Sequence, residues 1–279
     1  MMMMKRMTIA VLVGVLSCLA WAVPSEILVD LRLDETSYVV GERVRGVVEV
    51  RNMGATPLSV GYSNSTDRVL VEVYRASDRY QVDRSGNKPF VSPFRVKSNE
   101  GLKLELFLGD HYDFTSQGRF LARPVLVHNG MRYEGLYRAF DIVPGMPVAT
   151  AVQMFSNRPG LNRVFNLLHW SRRGTEHLFL KAHDEGTADS RWATVDIGPM
   201  MRVTKPTISI MTGGEVIVLH RNGPDSFCRS EFWSLPNALD FRTRQMVRDP
   251  RTAGQQSVQE MYQQSGGVKP TSHPWWKFW

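Results

Sequence analysis

His177, His183 and Asp184 form the grouping in this chain with the most metal-ligand character. His177 and His183 lie six positions apart. On one extended strand they would share a face but stand about 20 Å apart, too far to hold a single ion. The expected role is therefore polar decoration at a strand end. Asp110, His111 and Asp113 put two carboxylates beside an imidazole, a combination suited to proton transfer. The same residues suit a turn in which an aspartate accepts a nearby backbone N–H, and a turn is the expected reading. Of the two cysteines, Cys228 sits between Phe227 and Arg229 in a strand-like run, the setting of a buried apolar side chain rather than a nucleophile. The chain has no P-loop, dinucleotide fingerprint, Gly-x-Ser-x-Gly elbow or His-Glu-x-x-His. No catalytic residue, cofactor or metal is expected, and the chain reads as a non-enzyme.

The remaining candidate is a contact surface. Trp275, Trp276, Lys277, Phe278 and Trp279 end the chain after a polar stretch. Exposed aromatic clusters mark contact surfaces. Three placements are open: docking into a partner groove, where Trp anchors dominate binding; the headgroup layer of a membrane, which favours Trp with Lys; or folding back over the chain's own β regions. Asn64-Ser65-Thr66 is a glycosylation sequon, relevant only in a eukaryotic secretory route.

The elements that must position these residues begin after residue 22. Lys5 and Arg6 precede an apolar run, Thr8 to Leu19, and Ala20-Trp21-Ala22 supplies small residues where a signal peptidase reads. Residues 1–22 are thus expected to be a secretory signal cleaved after Ala22, with an uncleaved anchor as the alternative. Cys18 falls inside that signal, and Leu16 is bulky where a lipoprotein site wants a small residue. Removing the segment takes away Lys5 and Arg6 and no acid, lowering the net charge from +7 to +5 and leaving Cys228 as the sole cysteine. A periplasmic or extracellular location follows, with stability supplied by packing and no intrachain disulfide. The basic residues are spread along the chain without the density of a nucleic-acid footprint, so no nucleic-acid partner is expected.

With 279 residues, 43% hydrophobic and 22% charged, the chain has room for two domains with real cores. From Ile27 to Val143 short alternating runs are separated by turn residues, as in an all-β sandwich. Ile27–Leu33, Val44–Val50, Leu58–Val60, Val69–Tyr74, Leu102–Leu108, Gly118–Val127 and Leu136–Val143 are the expected strands. The segment Arg51–Pro57 should turn the chain back, Arg75–Pro93 is a polar excursion, and His128-Asn129-Gly130 is a hairpin turn. Tyr38-x-x-Gly41-Glu42, Val47 to Asn52 and Pro57-Leu58 resemble exported Ig-like domains of the intracellular proteinase inhibitor (BsuPI) type. Tyr112-Asp113-Phe114 with Gly118-Arg119-Phe120 is similar to the corner before a late strand in such sandwiches. Where many Ig-like domains use a tyrosine whose hydroxyl bonds back to the backbone, this chain has Phe120. The resemblance implies an Ig-like antiparallel β-sandwich over residues 23–145. It identifies no reactive loop.

Pro144-Gly145-Met146-Pro147 marks a boundary, with residues 146–161 expected as a linker and Val148–Phe155 as a short helical turn. A second β region, 162–250, should be a small meander or sandwich with strands at Val164–Trp170, His177–Ala182, Trp192–Ile197, Thr207–Met211, Val216–His220, Phe227–Leu235 and Leu239–Val247. Leu167–Gly174 and Val218–Gly223 echo each other, hinting at a duplicated meander. Pro206–Ile210, Gly213–Leu219 and Phe232–Ser234 resemble a blade of a sialidase-type propeller, with Asp184–Thr187 and Trp192 similar to a degraded Asp-box. Two blades cannot close a propeller. Residues 251–279, rich in Gln, Ser, Gly, Thr and Pro, read as a disordered tail. The whole describes an exported, non-enzymatic interaction or assembly protein of the bacterial envelope. Another envelope protein is its expected partner, with the membrane surface reached through the aromatic tip. A secreted proteinase inhibitor and a glycan-binding protein are the alternatives.

Overall fold

The computed structural model describes residues 26–62, 66–155, 161–185, 193–235 and 238–248, and strands make up most of them. Residues 1–22, expected to be a signal, Asn64 and the aromatic tip Trp275–Trp279 lie outside them. Among the described residues the only helical piece is a 3-10 turn, Leu108–Asp110. No helix there is long and apolar enough to cross a membrane.

The first region is a β-sandwich of β1 (Ile27–Leu33), β2 (Ser37–Val39), β3 (Arg45–Asn52), β4 (Leu58–Val60), β5 (Arg68–Arg75), β6 (Phe94–Val96), β7 (Glu100–Phe107), β8 (Gly118–His128), β9 (Met131–Glu134) and β10 (Arg138–Val143). One sheet runs β1-β3-β7. The other runs β2-β10-β8-β5, with β9 folded onto β8 and β2 parallel to β10. A small β4–β6 ribbon closes one side. Alternation does the sorting: Val69, Val71 and Val73 of β5 are buried, as are Val48 and Val50 of β3. Phe140 stacks on Phe120 at 5.6 Å and meets Tyr38 and Phe114 edge-on at 6.0 and 5.5 Å. Phe120 packs within this aromatic cluster. Two tyrosine hydroxyls elsewhere bond to the backbone. Tyr38 Oη accepts from Glu35 N at 3.0 Å and donates to Arg45 O at 3.2 Å, while Tyr112 Oη donates to Val71 O. Burial pushes both phenols up to about 12.

Arg51–Pro57 does not join a hairpin. β3 pairs with β1 and β7, whereas β4 pairs with β6. Asn52 turns inward and its amide nitrogen donates to the carbonyls of Thr56, Val96 and Lys97, so the chain crosses from one sheet to the ribbon. The Asn129-Gly130 turn joins β8 to β9 as expected, with φ of 50° and 76°.

The expected linker is instead a strand, β11 (Met146–Met154), paired along β12 (Asn162–Arg172). Three apolar residues in a row, Met146, Pro147 and Val148, obscure its period-two pattern, and a bulge between Pro147 and Ala149 absorbs the missing proline N–H. β13 (Thr175–Glu185) and β14 (Ala193–Pro199) complete one four-stranded meander. β15 (Thr207–Ile210), β16 (Glu215–Gly223), β17 (Ser226–Leu235) and β18 (Ala238–Arg248) form a second. The echoed stretches occupy similar places, at the C-terminal end of the second strand of each meander. The two sheets share one core of Phe165, Leu167, Leu178, Leu180, Val216, Val218 and Phe232, and so form a sandwich. A bulge between Glu231 and Phe232 of β17 sends Arg242 over Trp233 and Arg244 over Phe241.

The two sandwiches are joined by more than chain continuity. Val39, Leu168 and Phe179 are buried together. Thr194 donates its hydroxyl to Val40 O at 2.8 Å and its N–H to Gly41 O at 3.2 Å. Arg172 reaches Glu42 at 2.7 Å, Asp196 at 2.9 Å and Ser37 O at 3.3 Å. Gly145 has φ of 70°, and a Cβ there would stand 3.1 Å from Leu168, so the crossing point requires glycine.

Candidate functional site

The cleft with the most binding character follows from one unfinished sheet edge. β5 pairs with β8 on one side only. Val71 lies opposite Pro124, which has no N–H, so this pair cannot exchange hydrogen bonds across the ladder. The backbone groups of Val69, Val71 and Val73 must therefore face away from β8. The polar excursion covers the C-terminal half of that edge: Val82 N donates to Val73 O at 2.8 Å and Arg75 N to Tyr80 O at 2.9 Å. Towards Val69 it swings away and leaves the edge open.

Two adjoining cavities of about 530 and 430 Å³ flank the opening, and both are lined by Leu70, Arg84 and Phe90. The larger runs between Arg68–Leu70 and the Asn87–Phe94 segment. The smaller lies under Tyr80–Asp83 and Tyr112. Arg84 divides them. Its guanidinium sits 4.5 Å above the Phe90 ring, and one Nη lies 3.5 Å from His111 Nδ1. Its Nε is buried without a hydrogen-bond partner, and no carboxylate among the described residues forms an ion pair with it. His111 is buried and packs on Phe90 at 4.0 Å. Burial, reinforced by the charge of Arg84, pushes its pKa down, so it is a neutral imidazole that stacks and accepts. An extended chain with a carboxylate fits this arrangement: strand-edge amides for its backbone, Arg84 for its charge.

The groups singled out by sequence are scattered. Asp113 caps its turn by accepting from Thr115 N at 3.1 Å, and Asp110 lies 3.4 Å from Arg43, leaving His111 alone in the cleft wall. His177 and His183 both lie on β13 but serve different partners: His177 meets Asp196 at 3.0 Å, while His183 lies 3.8 Å from Glu185. Asp184 takes both nitrogens of a fork from Arg163, at 2.5 and 2.8 Å. Among the described residues no three His, Cys, Asp or Glu side chains are grouped to hold a metal. Cys228 is buried. Arg84 and Phe90 were missed by sequence reasoning. The available signal was the length of the Arg75–Pro93 excursion, since connections beyond about 15 residues in compact domains are usually functional.

No protein-family model matches the chain, and no curated protein matches it. Among solved structures it is similar to the sporulation control protein Spo0M from Bacillus subtilis, at 10% identity and a TM-score of 0.30. That match covers 62% of this chain and 90% of the other. It is also similar to the CsuC–CsuE chaperone–tip adhesion subunit pre-assembly complex of archaic chaperone-usher Csu pili from Acinetobacter baumannii. Identity is 10% and the TM-score 0.24, with 78% of this chain and 96% of that one covered. These are all-β neighbours too distant to carry a function across.

Proposed function

We propose that this chain is an exported, non-enzymatic interaction or assembly protein of the bacterial envelope, and that it takes an extended segment of a partner protein along the open edge of β5. The observation that carries the reading is the juxtaposition of Val69's outward backbone with Arg84, which has no acidic partner among the described residues. An edge of this kind supplies affinity through main-chain hydrogen bonds, and flanking side chains select the sequence. The aromatic tip Trp275–Trp279 is a second proposed contact, towards the same partner or the membrane surface.

The test uses extended peptides of alternating apolar residues carrying one central Glu, compared with Gln at that position. Binding to the full chain should favour Glu about tenfold or more, because a charge-assisted bond contributes about 1.5–3 kcal/mol. Arg84→Gln should erase that preference. Binding of neither peptide, or a preference that survives Arg84→Gln, would reject the cleft. Removing Pro274–Trp279 should leave peptide binding intact and weaken attachment to envelope fractions. Undiminished protease activity at equimolar protein would dispose of the inhibitor alternative.

A further inference from the structure

The second sandwich carries an independent feature on the inner face of its β15–β18 sheet. His220 of β16 stands directly opposite Cys228 of β17, and Cys228 directly opposite Met246 of β18. Directly opposed residues share a face with Cβ atoms about 4.5–5.5 Å apart. The three residues therefore share one row of the face, with Cys228 Sγ also 3.7 Å from Ser230 Oγ in the next row. The next row, Val218, Ser230 and Arg244, fixes the face: Val218 and Ser230 are fully buried.

His220 is 2% exposed, and its Nε2 lies 3.2 Å from Pro199 O. A carbonyl only accepts, so Nε2 carries the proton and Nδ1 presents a bare lone pair. That Nδ1 is buried with no hydrogen-bond partner. An unused lone pair in such a place is costly unless something occupies it. A ring held by one N–H on a backbone carbonyl, with its other nitrogen free, is how proteins orient a metal-ligating histidine.

We propose that His220, Cys228 and Met246 form a binding site for a single soft monovalent ion, Cu(I). The ligand set decides the metal class, since thiolate and thioether donors select Cu(I) over hard cations. Charge decides the valence. Cys228 is the only ligand that can become an anion, and a monovalent ion on its thiolate leaves the buried site neutral. A divalent ion would leave a net positive charge under burial, beside the Arg244 row. Asp196 and Arg244, the charged groups that act on His220, oppose each other. Met246 is 66% exposed on the terminal strand of the sheet, which gives the row an open end for entry. Its Sδ takes a hydrogen bond from Asn222 at 3.1 Å and retains a second lone pair.

Anaerobic titration of the reduced full chain with Cu(I), against a chromophoric Cu(I) chelator, tests this directly. One ion per chain is expected, with X-ray absorption reporting two sulfurs and one nitrogen. Met246→Leu, at an exposed position that folding tolerates, should weaken retention about tenfold or more, no less than the loss of a supporting outer partner. Cys228→Ser should abolish it, with circular dichroism confirming the fold. Failure to retain copper against the chelator, retention indifferent to Met246→Leu, or tighter binding of Zn(II) than of Cu(I) would each overturn the assignment.

Discussion

The two sandwiches solve the same packing problem in opposite ways. The first is stitched from strands distant in sequence: β1 with β3 and β3 with β7, β5 with β8, β2 with β10. Its crossings need long connections, and one of these carries the cleft around Arg84. The second is two consecutive meanders in which every pairing is between sequence neighbours. It sets polar groups between its sheets, with Arg163, His220 and Ser230 all buried, whereas the buried His111 of the first lies beside the long excursion. Connectivity thus bears on where each half keeps its candidate site: beside a loop in the first, between the sheets in the second.

The largest expected effect tests whether the halves are separate cooperative units. Phe140→Ala should destabilise the first sandwich, and Phe232→Ala the second, by about 3–5 kcal/mol each. Calorimetry should show each variant lowering its own transition. Equal displacement of the whole trace by either would break the comparison. Arg172→Ala addresses the joint. It strands Glu42 and Asp196 without their shared partner at a buried position, at a cost of about 3 kcal/mol. Chemical denaturation should then show two well-separated transitions in place of coupled ones.

Acidification should separate the halves further. His220 has its pKa depressed from 6.5 to about 4, so the native second sandwich binds fewer protons than its unfolded chain. Its stability is full at neutral pH and is lost as pH falls from about 6.5 through 4, by about 3 kcal/mol in all. His220→Asn should flatten that dependence. His111 gives the first sandwich a dependence of the same sign, and Glu42 gives the joint the opposite one. Burial outweighs the hydrogen bond from Arg172 and raises the Glu42 carboxyl, so its contribution is full below 4.5 and is lost as pH rises past its native value. The smallest effect expected is from Tyr112→Phe, which removes the bond to Val71 O. It should cost about 1 kcal/mol in urea unfolding and loosen the cleft wall without altering the second sandwich.

Much of the fold was legible because period-two alternation is a local property. Val69, Val71 and Val73 declare a buried face by themselves, and the strands of the second region fall within a few residues of their expected places. The errors share one cause. Arg51–Pro57 reads as a hairpin turn because no local feature reports that β4 belongs to β6, and Met146–Met154 reads as a linker because its partner, β12, supplies the missing order. The corner tyrosine was sought at position 120, while the tethering hydroxyls came from Tyr38 and Tyr112.

The residues alone determined that the described chain is built of strands, where most of those strands lie, and that the second half echoes a unit. Only the tertiary structure decided which strand edges stay open, that Arg84 is set between two cavities beside a strand edge, and that His220, Cys228 and Met246 stand in one row. The reason is that alternation encodes which face of a strand is buried, while pairing and register depend on partners elsewhere in the chain.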